Sequence, residues 1–247
     1  MEHIILPLKS KIVTDTLLAE LDKNFSNKGF VLKKTKKDLF QKTDYGFNSA
    51  GLATRSHFPV YLEVGLVFCV RHDKIEDIYS KFNDSRFGNY TKAGIKDWSS
   101  YSGRVSFSNH YTTWNYDWIK DFEEYILESD SFVVVGNEHL ERAKVEFVKS
   151  FEAFAIPFFE KYNNIEAIAA EEIKKFNTTI QNNRALPLKQ AMYLLIVLKL
   201  TNHPRYDNYV EEILKKLSDQ KKNPEIKKNR PEQEQALFEC IEFLQGI

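Results

Sequence analysis

The stretch VYLEVGLVFCVR, residues 60–71, has the most regular pattern in the chain. Apolar side chains occupy every second position from Val60 to Val70, which is the period of a β-strand with one face against a core. The positions between them hold Tyr61, Glu63, Cys69 and Arg71. The pattern therefore predicts a strand with a core face and a more polar face.

Shorter alternating segments on both sides of this strand extend it into a sheet. FVLKKT (30–35) and KDLFQKTDYGF (37–47) precede it, and RVSFSNHYTT (104–113) follows it. Mainly short loops, rather than regular helical crossovers, join these segments, which favours antiparallel pairing. Apolar residues at helical spacing between Val13 and Phe25 predict an amphipathic helix before the sheet, with Gly29 as its left-handed stop.

Beyond Gly136 the composition changes, and helical patterns replace strand patterns. Pro187, Pro204 and Pro231 stand where a first-turn proline is tolerated, so each is expected to head a helix. The segment LKQAMYLLIVLKL (188–200) is apolar on nearly all sides and should be the buried centre of a bundle.

An earlier proline, Pro157, should interrupt the helix predicted between Leu140 and Tyr162, because proline has no backbone N–H to donate. We predict an α+β protein with an N-terminal antiparallel sheet flanked by helices, followed by a C-terminal helical lobe. The predicted division gives a sheet lobe at 1–136 and a helical lobe at 137–247, packed on it.

The composition bounds the partners and the compartment. The chain of 247 residues has 35 basic and 35 acidic residues, so no overall field draws it to nucleic acid or to anionic lipid. Its longest apolar run, AMYLLIVL (191–198), is far shorter than the roughly 20 residues that span a bilayer. The apolar run at residues 4–8 is too short for a signal-peptide core. We expect a cytoplasmic protein with neither a nucleic-acid nor a membrane partner.

The polar face of the predicted sheet is a candidate site. If the strands are neighbours, one concave surface could be lined by Arg55, His57, Tyr61, Glu63, Arg104 and His110. A carboxylate beside a histidine could perform acid–base chemistry, and two arginines could hold a small anion. The alternative is an ordinary solvated sheet face, because no spacing requires these groups to converge.

The stretch DWSSYSGRVSFSNHYTTWNYDW (97–118) contains all three tryptophans of the chain. It is either a ligand-binding surface or an aromatic sheet core. Phe107, Tyr111 and Trp118 fall at core positions of their predicted elements. Trp98 and Trp114 fall near loops or turns, so we expect these two to be the ligand contacts if there are any.

Signatures of metal, nucleotide and serine-hydrolase sites are absent from the sequence. The six histidines form no H-E-x-x-H, His-x-His or cysteine-assisted pattern, and the phosphate loops and the G-x-S-x-G elbow are missing. We therefore expect no metal and no cofactor. Two basic clusters, at residues 33–37 and 221–230, are interpreted as solubilising loops.

The order of several segments resembles a known family. GFVLKKTKKDLF (29–40) opens the strands, VYLEVGLVF (60–68) continues them, and AIPFFEKYNNIEAIAA (155–170) leads into the helices. This layout, from the first helix to about Leu217, is similar to an uncharacterised bacterial family, domain of unknown function 4304. The resemblance implies cytosolic bacterial proteins of α+β type, some of them immunity-like or other interaction partners. It implies no catalytic residues.

The function predicted from these observations is that of a non-enzymatic binding protein of immunity type, with another protein as its partner. The alternative is an enzyme that uses an acid–base pocket on the sheet face and acts on a small anionic substrate.

Overall fold

The computed structural model describes residues 8–57, 61–83, 101–104, 132–181, 186–222 and 230–247. The fold is α+β, with an N-terminal antiparallel sheet and a C-terminal helical region, as the sequence predicts. Two compact units are present: Met1–Val70 with Tyr101–Glu160, and Arg71–Ser100 with Lys161–Ile247. The first helix after Gly136 belongs to the unit that contains the sheet. These units therefore do not coincide with the predicted division between residues 136 and 137.

The elements of the first half are as follows, in chain order: α1 (Ser10–Phe25), β1 (Val31–Lys33), β2 (Asp38–Lys42), β3 (Gly46–His57), β4 (Tyr61–His72), α2 (Asp73–Phe82), β5 (Tyr101–Arg104) and β6 (Phe132–Val134). The strands form one sheet in the order β1-β2-β3-β4-β5, and β6 also pairs with β4. β5 pairs with the second half of β4 and β6 with its first half, both antiparallel. β4 is thus the central strand.

The first unit is built on one covered face of this sheet. α1 buries its apolar stripe, from Val13 to Phe25, and contacts β1, β2 and β3. Leu39 of β2 pairs with Ala50 of β3, and both are buried on this face. Gly29 has φ +83°, so it adopts the left-handed conformation that was predicted to end the first helical segment.

A long interrupted helix completes this core. It consists of α3 (Asn137–Ser150), a π-helical turn (Phe151–Ala155) and α4 (Ile156–Tyr162). The α-helical pattern is interrupted, as predicted, but in the turn before Pro157 rather than at the proline. There the N–H of Ile156 bonds the carbonyl of Phe151, five residues back. The π turn accommodates the missing N–H of Pro157 without ending the helix.

Phenylalanine rings pack around this π turn. The Phe25 and Phe151 rings stack with centroids 4.2 Å apart, and Phe30 meets Phe151 edge-on at 5.2 Å. Phe159 lies against Phe30 at 5.5 Å and against Phe68 of β4 at 6.1 Å. The rings thus connect α1, the sheet and the interrupted helix.

The second unit is a helical bundle around one central helix. Its helices after α2 are α5 (Ile165–Gln181), α6 (Leu188–Leu200), α7 (Tyr206–Lys222) and α8 (Pro231–Gln245). α6 contacts α2, α5, α7 and α8, and every residue from Ala191 to Leu198 is buried. The predicted buried centre is therefore confirmed. Within the described ranges, no helix combines the length and the apolar character needed to cross a membrane.

Candidate binding surface

The structure buries two of the predicted site residues. Tyr61 and Glu63 lie in β4, and Glu63 is only 6% exposed. Arg71, on the same predicted polar face, is also buried. An ordinary solvated face is therefore wrong for this part of β4. The reason is that β4 is central in the sheet and almost entirely buried on both faces.

Arg55, by contrast, is exposed in β3, the strand next to β4. Arg55 and Glu63 are thus on neighbouring strands but differ in exposure, so they do not share one open surface. Lower in the same strands the Ser49 Oγ and Cys69 Sγ atoms are 2.9 Å apart, a contact of two small polar groups across the sheet.

The remaining predicted residues are described only in part or not at all. His57 ends β3, and Arg104 pairs with Val67 at the end of β5; only their backbone positions are described. Trp98, His110 and Trp114 lie outside the described residues. The convergence of Glu63, His57, His110 and Arg104 therefore stays a prediction. Among the described residues, no group of three or more His, Cys, Asp or Glu side chains is placed to hold a metal ion.

A different surface stands out on the hairpin of β1 and β2. In the sheet, Val31 pairs with Phe40, and Lys42 pairs with Phe47 of β3. Directly opposed residues of neighbouring strands share a face, and side chains two apart in one strand do too. Their face is opposite the one that α1 covers. We call it the lysine–aromatic surface; it comprises Val31, Lys33, Asp38, Phe40, Lys42 and Phe47. The exposed Lys34 follows Lys33 in the turn and lies at the rim of this surface.

Aromatic contacts organise this surface. The rings of Phe40 and Phe47 have centroids 4.6 Å apart and are both half-buried. The Lys33 Nζ atom lies over the Phe40 ring, 3.2 Å from its centroid. Such a cation–π contact positions the ammonium group, which keeps its positive charge. Val31 is 61% exposed beside these groups, although it is a large apolar side chain.

Positive charge surrounds the apolar groups. The hairpin segment 31–42 holds five lysines and one acidic residue, Asp38. Lys34, Lys37 and Lys42 are exposed. Lys37 has φ +55°, so the turn that carries these lysines contains a residue in the left-handed conformation. The lysines are visible in the sequence. The Phe47 ring, however, comes from β3, and its position beside them depends on the strand register.

The outer edge of β1 is closed to strand addition. The backbone N–H of Leu32 donates to the Asp22 Oδ1 atom of α1 at 2.9 Å. Proteins commonly protect edge strands by keeping them short, charged or covered. β1 is only three residues long, and the Asp22 carboxylate occupies the outward N–H of its middle residue. A partner of this hairpin should therefore dock on its face and not extend the sheet.

Comparison of the chain with family models, with curated proteins and with solved structures finds no match. The resemblance to the domain of unknown function 4304 family therefore stays a prediction.

Proposed function

We propose that this protein is a non-enzymatic binding protein, of cytoplasmic immunity type, that holds an acidic protein partner on the lysine–aromatic surface. The observation that supports the proposal is the exposed Val31 among five lysines, on a face organised by Phe40 and Phe47. Lysines alone are typical of a solubilising loop. An apolar side chain exposed in their midst is typical of an interface core with a polar rim.

The two kinds of group have different roles in such an interface. Lysines at the rim attract an acidic partner and raise its association rate. Val31 and the half-buried rings supply apolar area that loses water when the partner docks, which gives affinity.

The ring arrangement favours a carboxylate-bearing protein over single-stranded nucleic acid. Bases bind by stacking on open aromatic faces. On this surface the Lys33 ammonium occupies a face of Phe40, and the Phe47 ring packs against the same residue. A base would have to displace Lys33, whereas a glutamate or aspartate can pair with it where it lies.

The alternative function is an enzyme with an acid–base pocket that acts on a small anionic substrate. It requires Glu63 to lie beside His57 or His110. Arg55 and Arg104 would hold the anion. The described residues add no observation that favours it, since Arg55 is exposed and Glu63 is buried.

The proposal can be tested with a fluorescently labelled synthetic peptide of glutamates around one phenylalanine. Fluorescence anisotropy should show binding to the protein, and the double variant Lys34→Glu with Lys42→Glu should weaken it by about tenfold or more. The matched control is Lys11→Glu with Lys174→Glu, which makes the same change of net charge at two other exposed lysines.

The control should bind like the wild type, and thermal unfolding should show that both variants are folded. Absent binding, or equal loss in both double variants, would overturn the proposal. Tighter binding of a single-stranded oligothymidylate than of the peptide would overturn it in favour of nucleic acid.

A further inference from the structure

We infer that the acidic partner of the lysine–aromatic surface is a second copy of this chain, which docks the exposed face of its α8 there. The inference rests on the proposed function, because it names the partner of the same surface.

α8 has the complementary chemistry. Between Pro231 and Gln245 it contains four glutamates and no lysine or arginine. Its buried stripe includes Ala236, Leu237, Cys240, Ile241 and Leu244, which pack into the second unit. The opposite stripe, at helical spacing, is Glu232, Gln235, Phe238, Glu239 and Glu242. This stripe is the acidic face of α8.

An aromatic side chain lies in the middle of the acidic face. Phe238 is 41% exposed, and Glu239 and Glu242 are its neighbours at i+1 and i+4. A single exposed apolar residue needs no explanation. Here, however, one surface presents Val31 among lysines and the other presents Phe238 among glutamates. This pairing of apolar groups inside opposite charges carries the inference.

Two described lysines near α8 contact groups other than the carboxylates of its outer face. Lys221 pairs with the largely buried Glu234 at 2.6 Å, and Lys81 lies over the Phe243 ring at 4.3 Å. Glu232 and Glu242 have no ion pair within the part of the chain that the structure describes. Two of the four charges are therefore available to a docking surface.

The charge distribution of the whole chain agrees with self-association. The formal net charge is zero, yet the hairpin is strongly basic and α8 is wholly acidic. Contact between two different surfaces of identical copies is heterologous, so copies would join head to tail. The carboxylate of Asp22 closes the β1 edge, which leaves the sheet face as the place where a helix can lie.

Sedimentation velocity of the full chain over a range of concentrations tests the inference. Wild-type protein should associate at low ionic strength and dissociate as salt screens the charges. Lys34→Glu with Lys42→Glu should abolish association, and so should Glu232→Lys with Glu242→Lys. Lys11→Glu with Lys174→Glu is the control and should associate like the wild type.

Mixing the two charge-reversed variants is the decisive measurement. Each alone has one altered surface, so its copies cannot pair through complementary charges. The mixture supplies an unaltered hairpin from one variant and an unaltered α8 from the other, so it should associate again, in pairs. Phe238→Ala should weaken wild-type association by about tenfold through lost apolar contact.

The outcomes separate the inference from the proposed function. A chain that stays monomeric at low salt but binds the glutamate peptide overturns the inference and leaves the function. Association that survives both reversals, or a mixture that stays monomeric, also overturns the inference. A chain that neither associates nor binds the peptide overturns both.

Discussion

Tyr206 is a buried tyrosine whose hydroxyl has no hydrogen-bond partner among the residues that the structure describes. The oxygen is inaccessible and makes no hydrogen bond within the described residues, and burial raises the pKa of Tyr206 to about 12. A buried hydroxyl without a partner loses its hydrogen bonds to water, and no hydrogen bond in the folded protein compensates for that loss. We expect Tyr206→Phe to leave the free energy of unfolding unchanged or to raise it by up to about 1 kcal/mol, measured by urea denaturation.

Tyr45→Phe is the matched control, because the Tyr45 hydroxyl donates to the Asn48 Oδ1 atom at 3.0 Å. Removing that bond should lower the free energy of unfolding by about 1 kcal/mol. A clear destabilisation by Tyr206→Phe would show that its hydroxyl has a partner after all.

His139 links the stability of the first unit to pH. Its Nδ1 atom accepts from the backbone N–H groups of Val135 and Gly136, at 3.3 and 3.2 Å, which requires a neutral ring at the start of α3. Burial, with help from Arg142, lowers the pKa of His139 below its usual 6.5. As the pH falls through the pKa that this histidine has in the unfolded chain, the unfolded chain binds a proton and the folded chain does not.

The free energy of unfolding should therefore decrease as the pH falls from about 6.5 to the lower folded pKa. His139→Asn keeps a side-chain acceptor but does not titrate, so its unfolding energy should decrease less over that range. Identical pH profiles for the two proteins in urea denaturation would contradict this role.

Among the elements, the interrupted helix offers a clean comparison of two phenylalanines. Phe159 is 4% exposed and touches Phe30, Phe68 and Phe151, whereas Phe154 is 53% exposed. Phe159→Ala should cost about 3–5 kcal/mol, and Phe154→Ala should change stability by less than about 1 kcal/mol. Thermal and urea denaturation measure both. Similar effects of the two substitutions would mean that the ring cluster is misplaced.

The closed edge of β1 gives a second prediction about an element. Asp22→Ala removes the acceptor of the Leu32 N–H. This amide should then exchange its hydrogen faster in NMR, while the Leu39 amide of the neighbouring β2 keeps its rate. The free energy of unfolding should decrease by about 1–2 kcal/mol, since the bond involves a charged acceptor. An unchanged Leu32 exchange rate would show that the carboxylate does not protect the edge.

Local signals in the sequence predicted most of the elements. The alternation of residues 60–70 gave β4, Gly29 marked the end of the first helical segment, and helices do begin at Leu188 and Pro231. Each of these signals depends on near neighbours in the chain. The burial of Glu63 could not be predicted in this way, because alternation indicates which face a residue is on but not what covers that face.

Only the lysines of the candidate surface could be predicted, for the same reason. The lysines at 33–37 are visible in the sequence, but Phe47 joins them through the register of β2 and β3. The π turn could not be predicted from the sequence either. Pro157 indicates an interruption of the helix, but the hydrogen bonds that form around it depend on the packing of Phe151.

At the scale of the whole molecule, β4 in the sheet and α6 in the bundle are the long elements of the described residues that are buried on nearly all sides. Amides in such elements open only with most of the surrounding structure. Hydrogen exchange followed by mass spectrometry should therefore show the slowest exchange in the peptides of β4 and α6. Faster exchange in β4 than in the β1–β2 hairpin would contradict this order.

The central position of α6 has a consequence for how the protein is made. α7 and α8, which cover part of α6, follow it in the chain, and ribosomes deliver helices in sequence order. While α6 has left the ribosome and α8 has not, the part of the apolar α6 surface that α8 covers stays exposed to water. The second unit can close only after α8 emerges, so the newly made bundle is a natural client for chaperones during translation.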